Sequence, residues 1–138
     1  MTKDILRGGL LLAAGLLPAV AAADDLRGAN RFLCSVLEVT ACAADMGCDQ
    51  VLPADLNMPQ FVVVDLAEKQ LATTAASGEN RATPLQTIRR EGGLVIVQGH
   101  EAGRAFSLLI DEATGRASFA SAADARSVTV FAACTPQR

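Results

Sequence analysis

The chain has 138 residues, of which 51% are hydrophobic but only 4% aromatic, with five Phe and neither Trp nor Tyr. An apolar leader of 23 residues takes two of the twelve basic and one of the fifteen acidic side chains, so the remainder carries ten bases and fourteen acids, a formal charge near −4. The remaining 115 residues hold one compact domain; acid excess without a basic run excludes nucleic acid as a partner, and the missing Trp and Tyr remove the usual stacking platforms for sugars and bases.

Residues 1–23 follow the three-part pattern of a secretory signal peptide: a charged start MTKDILR, an apolar stretch from Gly8 to Leu17, then Pro18 and Ala21-Ala22-Ala23. Cleavage is expected after Ala23, leaving 24–138 as a single exported, periplasmic β-domain. An apolar run of about ten residues reaches roughly 15 Å as a helix, half of the ~30 Å bilayer core. The first Cys follows Arg31-Phe32-Leu33, well past the leader, so no lipid anchor is expected. No stable membrane insertion is expected after cleavage.

Arg31–Thr40 places Phe32, Val36 and Val39 at helical spacing, but its β-branched content favours a strand or extended cover. Asp45–Pro59, with Gly47, Pro53, Asn57 and Pro59, reads as an irregular connection. From Gln60 onward, short apolar or alternating stretches are separated by turn chemistry. FVVVDL at 61–66 and the return at 70–74 form a hairpin, 75–82 is a loop, and Pro84 puts the next strand at or near an edge. Leu85–Arg90 and Leu94–Gln98 flank the Glu91-Gly92-Gly93 turn. His100–Gly103 is expected to turn into Arg104–Ile110, and Asp111–Gly115 into Arg116–Ser121. Ser127–Cys134 closes the series, with Val128, Val130 and Ala132 on one face. Six or seven strands at roughly ten-residue spacing predict an all-β fold, a small antiparallel meander forming a barrel or sandwich.

Four cysteines beyond the leader in an exported domain read as two disulfides. The spacings of 8, 6 and 86 lack the two close pairs of a zinc site. Cys42 with Cys48 brackets the turn-like AADMG, which leaves Cys34 with Cys134 to fasten the two ends of the domain.

The residues that carry chemistry are sparse. His100 is the only histidine and reads as a solvated turn residue. A Ser107, His100, Asp111 triad lacks the G-x-S-x-G turn that exposes a nucleophile. Glu101, Asp111 and Glu112 fall in neighbouring turns, and with so many acids their proximity is expected by chance. DEATG lacks the alternating ligands of a calcium loop, and Asp45, Asp49 and Asp55 read as turn formers. His100, Arg104 and Arg116 form a candidate strand-end patch for an anion, and Ser77, Gly78 and Arg81 a candidate binding loop. No catalytic residue, metal or cofactor is assigned.

FVVVDL at 61–66, GLVIVQGHEAGRAFSLLIDEATG at 93–115 and VTVFAACT at 128–135 resemble a set of small exported proteobacterial proteins, which implies a periplasmic β-domain without bringing an activity. The Ser77-Gly78 pair more distantly resembles the Ser-Gly loop of the c-type lysozyme inhibitors, small disulfide-containing antiparallel barrels, although Arg81 and Ala82 follow where that family has an aromatic. The sequence thus leads to a non-enzymatic binding domain whose partner is a protein or a small apolar ligand, held at a loop end or sheet edge. Inhibition of c-type lysozyme and hydrolysis of an unidentified substrate are the alternatives.

Overall fold

The computed structural model describes residues 25–137; the predicted signal peptide, its cleavage point and Asp24 lie outside the described residues. Ten antiparallel strands follow in order: β1 Arg31–Ala43, β2 Gly47–Gln50, β3 Phe61–Asp65, β4 Gln70–Thr73, β5 Ala82–Pro84, β6 Thr87–Glu91, β7 Leu94–Glu101, β8 Arg104–Asp111, β9 Arg116–Ala123 and β10 Arg126–Pro136. Single helical turns at Pro53–Leu56 and Ala75–Ser77 interrupt them. Among the described residues no helix is long and apolar enough to cross a membrane.

The strands form one curled sheet in the order β5-β4-β3-β1-β10-β9-β8-β7-β6, with β2 an added flap on β1. Its terminal strands, β5 and β6, belong to one bent stretch of chain. At the bend the Leu85 N–H donates to the Lys69 carbonyl on one side (2.8 Å) and the Gln86 N–H to the Gln98 carbonyl on the other (2.9 Å). One segment therefore joins both ends of the sheet, and the architecture is barrel-like and not a two-sheet sandwich. Pro84 sits where the segment changes partners, which suits a residue unable to donate to a ladder.

Gly99 explains how closely the bent segment approaches β7. A Cβ there would lie 2.8 Å from the Pro84 carbonyl oxygen and 2.5 Å from the Phe106 ring, so only glycine fits. This overturns the expected turn at His100–Gly103: His100 and Glu101 continue β7, and the reversal is confined to Ala102-Gly103, both at positive φ. The expected irregular connection likewise contains β2, which carries Cys48 opposite Cys42. Ten strands stand in place of six or seven because β5 precedes the predicted Leu85–Arg90 strand across a bend, β2 has no apolar residue beyond its Cys, and the segment expected as a strand or extended cover is the full strand β1.

Alternation sorts the side chains between wall and interior. Val95 and Val97 of β7, Phe106, Leu108 and Ile110 of β8, Val130 and Cys134 of β10, and Phe32, Cys34 and Val36 of β1 are buried inside. A β-bulge in β1 then inserts Leu37, which has no partner in β10 and is 67% exposed. The extra residue flips the parity, so Val39 joins Val36 and Val130 in the interior.

The end of the barrel bearing the 92–93 and 112–115 turns is closed by residues 25–30. Leu26 is wholly buried against the core that contains Phe32, Val64, Val95 and Ile110. Its N–H donates to the Glu112 carbonyl (2.9 Å), and the Leu66 N–H donates to the Asn30 carbonyl (2.8 Å). Arg90 fastens this cork, pairing with the mostly buried Glu112 carboxylate at 2.9 Å and donating to the Ala29 carbonyl.

Both predicted disulfides form, Cys34–Cys134 and Cys42–Cys48, each between directly opposed residues of paired strands. The four thiols are thus consumed without a zinc site. Cys34–Cys134 ties β1, the first strand, to β10, the last, inside the core.

Candidate site at the open end of the barrel

Toward the opposite end, which bears the 102–103 and 124–125 turns, lies a cavity of about 600 Å³. Its inner wall is apolar: Val36 from β1, Val64 from β3, Leu71 from β4, Leu108 from β8, Phe119 from β9 and Val130 from β10. Each of these strands contributes by alternation, and Phe119 is steadied by stacking on Phe106 at 5.7 Å between ring centroids. The Cys34–Cys134 bond borders this wall through Cys34. With the other end corked by Leu26, the cavity is blind.

Two loops and one hairpin shape the mouth. Leu56–Pro59 lies along one side; its course is fixed by the Gln60 side chain, which donates to the Val36 carbonyl, and by the Val36 N–H, which donates to the Gln60 carbonyl (2.9 Å). Asn80–Thr83 forms the next part of the rim. Arg81 straps these two loops together: its Nη1 donates to the Asn57 carbonyl and its Nε to the Glu79 carboxylate, both at 3.0 Å. The Arg81 backbone is meanwhile anchored on Thr73 of β4 (2.9 Å from its N–H to Oγ1).

The β7–β8 hairpin completes the rim with Glu101 and Arg104, which oppose each other across its turn. They do not form an ion pair. The Thr83 hydroxyl donates to the Glu101 carboxylate at 2.7 Å, a side-chain bond across the seam between β5 and β7. Gln86 extends this seam by accepting the His100 N–H at 2.8 Å. Arg104 has no carboxylate within 4.0 Å among the described residues.

The candidates from sequence are thus divided. Arg81 and Arg104 line the mouth, whereas Ser77 and Gly78 do not; the Ser77 hydroxyl donates to the Thr74 carbonyl (2.7 Å) within its own turn. The proposed patch of His100, Arg104 and Arg116 does not exist. Arg104 begins β8 and Arg116 begins β9, and because these strands are antiparallel the two arginines stand at opposite ends of the barrel. His100 is exposed on the outer face of β7.

The Ser107, His100, Asp111 arrangement is likewise dispersed: His100 stands near one end of the β7–β8 ladder, Ser107 at mid-strand and Asp111 at the other end. Asp111 instead organises its own turn. Its carboxylate accepts from the Thr114 N–H (2.9 Å), the Thr114 hydroxyl (3.0 Å) and the Ala113 N–H (3.0 Å). The two bonds from Thr114 hold its pKa below the ordinary carboxylate range; partial desolvation opposes them, and the Ala113 bond and the charge of Arg116 add smaller contributions in the lowering direction. Among the described residues no three His, Cys, Asp or Glu side chains gather as a metal site requires.

Asn57, Met58 and Thr83 are site residues that sequence reasoning missed, the first two because they lie in an irregular segment and the third because strand alternation alone does not identify a barrel's mouth; Glu101, grouped by sequence with Asp111 and Glu112, stands at the opposite end of the β7–β8 ladder from them. Compared with protein-family models, curated proteins and solved structures, the chain has no match.

Proposed function

We propose that this domain binds a small, mainly apolar molecule inside its barrel. The observation that carries the reading is the blind apolar cavity of about 600 Å³, within the roughly 300–1,000 Å³ range of small-ligand sites. A barrel of about eight staves has room for one such ligand at most. Docking a protein strand finds less support, because the two ends of the sheet share one segment and only the four-residue flap β2 lies off that path. Two disulfides indicate an oxidising, exported environment; with the signal-like leader, the reading extends to a carrier or scavenger in the bacterial periplasm. No chemical step is assigned to it.

The test is titration with the neutral apolar fluorophore phenylnaphthylamine, which meets no background from Trp or Tyr in this chain. Ala132→Phe directs bulk into the cavity, whereas Ala133→Phe on the same strand is directed outward. Saturable binding, weakened at least about tenfold by the first variant and unchanged by the second, is the expected result. Absence of saturable binding, or equal binding by both variants, overturns the proposal.

A further inference from the structure

We infer that the ligand is an anionic amphiphile, its apolar tail in the barrel and its acidic head on Arg104; the inference rests on the cavity reading above. The mouth carries three charged side chains on its lining: Arg81, Glu101 and Arg104. Two are already engaged. Arg81 is neutralised by Glu79 and strapped to the Asn57 carbonyl, and Glu101 is held by the Thr83 hydroxyl on the β5–β7 seam. Arg104 alone among them has neither an ion pair nor a side-chain hydrogen bond to another described residue, although Glu101 stands directly across the hairpin.

Its position gives that free guanidinium a direction. Arg104 belongs to the inward-facing series of β8 that continues through Phe106, Leu108 and Ile110, so it stands at the rim directly above the apolar wall. A guanidinium presents a planar fork of N–H donors that matches a carboxylate, sulfonate or phosphate. A tail passing Leu108 and Phe119 leaves such a head at the height of Arg104. A cationic head meets the unpaired guanidinium of Arg104, and the Glu101 carboxylate across the hairpin is already engaged by the Thr83 hydroxyl. A neutral head gains the same burial of its tail and no charge pairing.

The experiment compares decanoate, decanol and decyltrimethylammonium by isothermal titration calorimetry, each below its micellar concentration, at low salt. Because the tails are matched, differences report the head. Decanoate is expected to bind about tenfold more tightly than either competitor, with the advantage shrinking as salt rises. Arg104→Gln should abolish the advantage without weakening decanol binding. Arg104→Lys should keep part of it, since the charge remains but the fork is lost. Thermal unfolding of both variants verifies the fold. Equal binding of all three amphiphiles, or preference for the cation, overturns the assignment of the head while leaving the cavity reading intact. Failure of all three to bind, with phenylnaphthylamine also excluded, overturns the cavity reading itself.

Discussion

Removing the two disulfides separately should have unequal effects. Cys34 and Cys134 are 100 residues apart, Cys42 and Cys48 only 6. On the chain-entropy model, closing the longer loop restricts the unfolded chain by about 4.7 kcal/mol and closing the shorter one by about 2.2 kcal/mol. Burial widens the gap, because Cys34 and Cys134 are each 5% exposed within the core while Cys48 lies on the exposed flap. The double variant C34A/C134A should therefore lose at least about 2.5 kcal/mol more stability than C42A/C48A. Urea unfolding followed by far-ultraviolet circular dichroism measures this without relying on Trp. Equal losses, or a larger loss from the flap disulfide, would refute the view that the long covalent loop is the main clamp on the barrel.

Other perturbations probe the cork, the seam and a turn. Leu26→Ala removes three carbons from a fully buried site and should cost about 3 kcal/mol in urea unfolding, since transfer and residual-cavity terms add; a loss under about 1 kcal/mol would mean that residues 25–30 do not seal the barrel. Gly99→Ala drives a Cβ onto the Pro84 carbonyl and should cost about 1–3 kcal/mol by overpacking, whereas an unchanged thermal midpoint would show that the bent segment yields freely. Because the folded-state pKa of Asp111 is lowered, its charge contributes stability that is present above the ordinary carboxylate range and is lost as the pH falls through the lowered value. The stability difference between the wild type and Asp111→Asn should accordingly shrink on acidification to about pH 2; a difference that grows on acidification would reverse the sign of this argument.

Strand positions were readable because interior and exterior residues alternate with period two, as in Phe106, Leu108 and Ile110. Disulfide pairing was readable because Cys42 and Cys48 flank a short reversal. The misplaced turn has a specific cause: Gly99 resembles turn chemistry, yet it serves the close crossing of a distant segment. Arg104 and Arg116 each follow a turn in the sequence, but successive strands of a meander begin at opposite ends, which separates them. Two features left almost no sequence signal. A single Leu among polar residues gives no periodic pattern by which to recognise the cork, and Val36, Leu108 and Val130 have the same composition whether their barrel is filled or hollow. The mouth depends on which loops meet across the sheet, through contacts such as Arg81 with Asn57 that span 24 residues.

The covalent tie between β1 and β10 also bears on survival among proteases. The exposed loop at 75–81 lies between Cys34 and Cys134 in the chain, so a single nick there yields two fragments that remain joined through sulfur. The fragments also stay interleaved, since β4 on one pairs with β5 on the other. Such a molecule can be cut once without coming apart, and the break becomes visible only after reduction and unfolding.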